Sequence, residues 1–97
     1  MRFNSYRRRD FVLSYFRTAR GVEVDLIIET PKGEVIGVEI KSRVIPEPKD
    51  YESGFAALRV VQPKAKMVVV CPANAARIVN NVQVLPHQEF FKLLESV

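Results

Sequence analysis

Apolar positions in the first half of the chain recur with a period of two. Phe11 to Arg17 (FVLSYFR) is aromatic and β-branched and runs out at Ala19-Arg20-Gly21, which predicts a strand and then a turn. In Val22 to Glu29 (VEVDLIIE), Val22, Val24, Leu26 and Ile28 hold one face and Glu23, Asp25 and Glu29 the other, a strand with its carboxylates aligned. Thr30-Pro31-Lys32-Gly33 is a turn by composition, with Pro at its second position and Gly at its fourth. It leads into a further strand from Glu34 to Arg43, so the two strands are expected to form an antiparallel hairpin.

Pro46 and Pro48 break this pattern, and the period then changes to 3.6. Lys49 to Val61 carries Tyr51, Phe55 and Leu58 at helical spacing and is closed by Pro63, an amphipathic helix whose aromatic residues read as core. Ala65 to Cys71 (AKMVVVC) is nearly all apolar, as befits a strand buried on both faces, and the helix before it has the length of a parallel crossover. Pro72 to Asn81 is expected to hold a short helical turn, Val82 to Leu85 a short edge strand. Pro86 opens a last helix with Phe90, Leu93 and Leu94 on one side. The fold class is α/β: a mixed sheet of four to five strands flanked by helices.

Composition narrows this picture. The chain has 97 residues, enough for one domain (1–97) with a thin core. Its 47% hydrophobic and 27% charged residues are ordinary for a globular protein, and its longest apolar run is too short to cross a bilayer. There is no secretory h-region at the start, and the lone Cys71 has no intramolecular disulfide partner, so a cytoplasmic protein without membrane association is expected. Cys71 reads as a small buried hydrophobe, and His87 as a surface residue in the first turn of the last helix. The net charge of +4 permits an anionic partner, with the excess concentrated in Arg7-Arg8-Arg9, Arg17 and Arg20.

One stretch disturbs the hydrophobic pattern. In Gly37-Val38-Glu39-Ile40-Lys41-Ser42-Arg43, the charges of Glu39 and Lys41 sit two apart on the same strand face. The plain reading is a same-face ion pair, worth about 0 to 1 kcal/mol. The sharper reading joins Glu39 to Asp25 across the hairpin. Two carboxylates held together repel, and a hard divalent ion such as Mg²⁺ relieves the repulsion, binding through one or two carboxylates and several waters. Lys41 would then face a metal-bound water next to a phosphate. Hairpin register stands in the way. With Pro31 and Lys32 as the central turn residues, Asp25 lies opposite Val38, so uniting Asp25 with Glu39 needs a one-residue shift from a bulge or an odd loop. The spacing alone is weak, arising by chance in roughly a quarter of chains of this length. Its placement on two successive predicted strands carries more weight.

Gly21-Val22-Glu23-Val24-Asp25-Leu26-Ile27 followed by Val38-Glu39-Ile40-Lys41-Ser42-Arg43 resembles the PD-(D/E)XK nuclease superfamily, including archaeal Holliday-junction resolvases. A closer likeness spans nearly the whole chain. Tyr15-Phe16-Arg17-Thr18, Glu23-Val24-Asp25, Glu39-Ile40-Lys41-Ser42 and Val84-Leu85-Pro86 are similar to the nuclease-like C-terminal domain of uncharacterised prokaryotic P-loop ATPases. The resemblance implies a restriction-endonuclease-like core (β-β-β-α-β-β-α). It also implies Asp25, Glu39 and the Ile40 carbonyl as ligands of Mg²⁺ or Mn²⁺, and Lys41 as the catalytic lysine. DNA would be the substrate, with Arg7, Arg8, Arg9 and Arg43 as candidate phosphate contacts, although an arginine run such as Arg7-Arg8-Arg9 is more often a solvated arm than a phosphate clamp. Superfamily members usually begin with a helix that contributes an acidic residue. Met1 to Asp10 lacks a helical pattern, which leaves Asp10 or Glu23 as replacements and suggests either a fragment of a longer, ATPase-containing protein or a core completed by forming a homo-oligomer. The expected function is Mg²⁺-dependent hydrolysis of DNA phosphodiester bonds. The alternative is a non-catalytic module of an ATPase, used for nucleic-acid binding or oligomer contacts.

Overall fold

The computed structural model describes residues 6–8 and 11–97. In chain order the elements are β1 (Tyr6–Arg8), β2 (Phe11–Arg17), β3 (Glu23–Glu29), β4 (Val35–Ile40), a 3-10 turn (Pro48–Asp50), α1 (Glu52–Val61), β5 (Lys66–Val70), β6 (Arg77–Val79), β7 (Val82–Leu85) and α2 (His87–Ser96). Among the described residues the strands form one seven-stranded sheet in the order β1-β2-β3-β4-β5-β7-β6. The first four strands are an antiparallel meander. Strand β5 lies parallel to β4 and β7 parallel to β5, while β6 returns antiparallel to β7. The α/β class and the mixed sheet are as expected; the strand count of four to five is too low.

The miscounted region is Pro72 to Asn81. Instead of a helical turn it contains β6, joined to β7 by a two-residue turn in which Asn80 and Asn81 have φ of 50° and 67° and Val79 pairs with Val82. Both angles lie in the left-handed region that Asn tolerates better than other side-chain-bearing residues, the geometry of a tight hairpin. Strand β7 is therefore interior, with Val82, Val84 and Leu85 buried, and β6 takes the edge. The strand expected over 34–43 ends at Ile40, leaving Ser42 and Arg43 outside the sheet. The helix expected from Lys49 starts at Glu52, because Pro48 begins a separate 3-10 turn capped by Glu47 and Asp50.

One helix covers part of each sheet face. Phe55 and Leu58 of α1 pack with Phe16, Val24, Tyr51, Met67, Val69, Cys71, Val82 and Val84. Phe90 of α2 packs with Ile28, Ile36, Val38, Val68, Val70 and Leu85 on the other. Strand β5 supplies alternate residues to both clusters, as its unbroken apolar run requires. Cys71 is fully buried, as its apolar setting predicts.

In β3 the alternation is not continuous. Ser14 pairs with Ile27 but Phe16 pairs with Val24, so Asp25 and Leu26 stand against the lone Tyr15 of β2. This β-bulge reverses the facing of everything before it. Val24 joins the core beneath α1, while Leu26 and Ile28 belong with α2; the expectation that Val24, Leu26 and Ile28 share a face is corrected accordingly.

Candidate active site at the end of the β3–β4 hairpin

The hairpin turn supplies the shift that unites the carboxylates. The amide of Gly33 donates to the Thr30 carbonyl at 2.9 Å, closing the expected four-residue turn, and the Thr30 amide donates to the Glu34 carbonyl at 2.9 Å. Gly33 has φ +86°, the left-handed conformation that completes a three-residue loop after such a turn. Thr30 thus faces Glu34, and the ladder runs Glu29 to Val35, Ile28 to Ile36, Ile27 to Gly37 and Leu26 to Val38. One step further the same register sets Asp25 against Glu39.

At that step the β3–β4 ladder ends and the two side chains take over its hydrogen bonds. The Asp25 amide donates to Glu39 Oε1 at 3.1 Å, and the Ile40 amide donates to Asp25 Oδ2 at 2.9 Å. The bulge explains the need: with Asp25 displaced from regular pairing, main-chain donors at 25 and 40 find carboxylate acceptors on the opposite strand. Lys41 Nζ lies 3.3 Å from Glu39 Oε2, so the same-face pairing expected of Glu39 and Lys41 is present. The Lys41 amide is held by the Val70 carbonyl of β5 at 2.9 Å, which fixes the backbone on which Lys41 stands.

Glu39 is only 5% exposed, although it is charged. Burial is the main cause pushing its carboxyl above the ordinary 4.5; the nearby Asp25 charge pushes the same way, and Lys41 together with the Asp25 amide pulls back.

Asp25, Glu39 and Lys41 open into a cleft of about 210 Å³ shared with Glu23, Asp50, Tyr51, Ser53 and Gly54. It lies at the carboxyl end of β4 and the start of α1. The cleft closes because Gly54 lets the first turn of α1 rest on β3: a Cβ at position 54 would collide with the Glu23 carbonyl oxygen. Glu23 lines the cleft, but its carboxylate also pairs with Arg17 Nε at 3.5 Å. Asp50 was not anticipated from the sequence. It accepts from the Glu47 amide at 2.9 Å and pairs with Arg43 at 3.6 Å. The Glu47-Pro48-x-Asp50 sequence, an acid followed by proline and by a second acid three residues on, is the signal that could have located it.

The other expected residues fall as follows. Ile40 ends β4 beside the cleft, its side chain 56% exposed. Arg43 lies on the rim through its pairing with Asp50. Positions 7 and 8 are in β1, whose register pairs Arg8 with Phe11 and Arg7 with Val12, next to the Glu29 end of β3 and so at the opposite end of the strands from Asp25. Arg9 and Asp10 lie outside the described residues. His87 is an exposed first-turn residue of α2, as expected.

No group of three or more His, Cys, Asp or Glu that would hold a metal ion occurs among the described residues. The fit to Mg²⁺ therefore rests on two carboxylates. Their convergence, the burial of Glu39 and its raised pKa suit a hard cation that keeps several of its own waters.

A family model for a domain of unknown function, DUF4143, matches residues 1–90. The chain belongs to that family. No curated protein and no solved structure matches it. In this DUF4143 chain the matched span includes all the strands, α1 and every cleft residue, and reaches Phe90, the buried anchor of α2. Among the described residues no helix is long and apolar enough to cross a membrane.

Proposed function

We propose that this DUF4143 chain is a nuclease-like domain that hydrolyses DNA phosphodiester bonds with the help of a divalent metal ion. The observation that carries this reading is the pairing of Asp25 with Glu39 across the hairpin, with Lys41 3.3 Å from Glu39. That union required a register the turn sequence did not promise. Asp25, Glu39 and the Ile40 carbonyl would hold Mg²⁺ or Mn²⁺. When bound, such an ion supplies Lewis-acid stabilisation of phosphoryl charge and a water of lowered pKa. The chain's own residues then have separate tasks. Asp25 and Glu39 are mutually positioned by the two main-chain donors. Lys41 offsets the buried charge of Glu39 and presents its ammonium group to an approaching phosphate. Tyr51 and Gly54 wall one side of the cleft and limit access of bulk water there.

The resemblance to PD-(D/E)XK nucleases supports the same reading through Asp25 and the Glu39-Ile40-Lys41 triplet. Asp25→Ala and Lys41→Ala are each expected to abolish Mg²⁺-dependent cleavage of a DNA junction or duplex at unchanged circular dichroism. Wild-type turnover in either variant would sink the proposal.

A second reading is favoured by one feature. Three of the four carboxylate oxygens already have partners, in the Asp25 amide, the Ile40 amide and Lys41, so the pair also serves as a clamp that finishes the hairpin. On that reading the domain is a non-catalytic module of a P-loop ATPase that binds nucleic acid or contacts other copies. It predicts DNA binding without cleavage in any divalent metal.

A further inference from the structure

The loop between β4 and α1 begins and ends in the carboxylate cleft. Lys41 at one end and Asp50 at the other both line it, so residues 42–49 make a short excursion at the mouth of the cleft. Compact loops whose ends meet are held by their own contacts and frequently carry function. This one is pinned along its length. The Lys41 amide donates to the Val70 carbonyl at 2.9 Å, and the Val44 carbonyl accepts from the Cys71 thiol at 3.9 Å. Pro46 is buried. Asp50 then ties the far end back, accepting from the Glu47 amide at 2.9 Å and pairing with Arg43 at 3.6 Å.

Between these anchors stand Val44 and Ile45, 50% and 68% exposed. With the Val44 carbonyl tied to Cys71 and Pro46 occupying the buried place beside them, neither side chain has a route into the core. Both are β-branched and have little χ1 freedom to lose on contact. Val60 and Val61 are also adjacent and exposed, but they lie at the far end of α1 from the cleft.

Size and position select the occupant. A stable protein interface takes about 20 to 30 residues a side, of which two apolar side chains are a small fraction. Val44 is three residues from Lys41, at most about 11 Å of extended chain, or about three base steps along one DNA strand. A strand with a phosphate in the cleft thus carries its neighbouring bases past Val44 and Ile45. A base inside a duplex has its faces covered by stacking, whereas an unpaired base offers a face to an apolar side chain.

We propose that Val44 and Ile45 are a base-contact site for an unpaired nucleotide next to the phosphate held in the cleft, so that the domain prefers single-stranded DNA, or a duplex with an unpaired stretch, over continuous duplex. The inference rests on the DNA reading of the cleft and names the form of substrate that it takes.

The full chain is titrated in EDTA with a twelve-nucleotide single strand carrying one central 2-aminopurine, and with the same strand annealed to its complement. The single strand should bind more tightly, with a rise in 2-aminopurine emission as the apolar side chains part the probe from its neighbours. Val44→Ser combined with Ile45→Ser changes exposed positions and should leave Tm in place. It should weaken single-strand binding about fivefold or more and remove the emission rise, with duplex affinity as in the wild type. Equal weakening on both forms, unaltered single-strand binding in the variant, or a wild type that binds neither form overturns the proposal. So do wild-type dimers in sedimentation velocity that the variant lacks, which would make the pair an interface between copies. Cleavage assays in Mg²⁺ separate this inference from the reading beneath it. Cleavage together with single-strand binding indifferent to the loop removes the base contact alone; loop-dependent single-strand binding without cleavage in any divalent metal removes the hydrolysis and keeps the base contact.

Discussion

Glu39 is the residue at which folding and proposed chemistry conflict. Its carboxyl is buried beside Asp25, and both effects raise its pKa above 4.5. A carboxyl with a higher pKa folded than unfolded binds more protons in the folded state. Its contribution to stability is then fully present below pH 4.5 and is lost as pH rises through the elevated folded value. Urea unfolding at stepped pH should show stability declining over that interval. Glu39→Gln should flatten the decline, because the amide oxygen still accepts from the Asp25 amide while the titrating charge is gone; an unchanged pH slope would show that another group carries it. Mg²⁺ should oppose the decline in the wild type, by binding the ionised form, and have little effect on the Gln variant. The Glu-x-Lys spacing was legible in the sequence, since same-strand positions two apart face together whatever the rest of the fold does. The burial of Glu39 was not, because it depends on β5 and α1 closing over it.

At the scale of elements, two glycines decide whether the site exists. Gly33 adds the left-handed residue that moves the hairpin register by one. Gly33→Ala should cost about 1 to 2 kcal/mol, the penalty of a side-chain-bearing residue in that conformation, and Gly33→Asn less. Rebuilding the loop as a two-residue turn, with Pro31→Asn, Lys32→Gly and Gly33→Thr, should do something different: Thr30 then faces position 33, Asp25 and Glu39 turn to opposite faces, and divalent-metal binding measured by calorimetry should be abolished while a folded domain persists. Gly54 acts through close approach. Any Cβ there meets the Glu23 carbonyl, backbone that cannot give as a flexible side chain does. Gly54→Ala should destabilise by about 1 to 3 kcal/mol and disturb the Asp25 bulge, seen as weaker metal affinity beyond what the reduced stability explains. The turn at 30–33 was readable from Pro and Gly, but a turn's residues do not state whether the strand resumes after two loop residues or three. Strand β6 escaped notice for a related reason: Asn80-Asn81 is a weaker hairpin signal than Asn-Gly, and three residues are too few to show a period.

For the molecule as a whole, the sheet has two ends of different character. The carboxylate cleft lies where β4 finishes and α1 begins, while the backbone of Arg7 and Arg8 runs beside the other end of β2. If DNA crosses the molecule, the arginines contribute affinity at a distance from the cleft. Replacing Arg7, Arg8 and Arg9 by Gln should then weaken DNA binding and lower the slope of log affinity against log salt by about 0.9 for each duplex phosphate that is no longer neutralised. Cleavage at saturating DNA should be unchanged. A fall in the saturated rate would instead place those arginines against the reacting phosphate.

The amino-acid sequence by itself determined the local periods: the antiparallel hairpin, the crossover helix, the doubly buried β5 and the facing of Glu39 with Lys41. Each depends on neighbours two to four residues apart, where backbone geometry leaves few choices. Tertiary structure decided the rest. Asp25 meets Glu39 because the left-handed conformation of Gly33 shifts the register and the bulge opposite Tyr15 releases Asp25 from its ladder. The cleft closes because Gly54 lets α1 rest on β3, and β7 is an interior strand because β6 pairs along its outer side. These are relations between distant segments, settled by packing and by the need to satisfy buried donors.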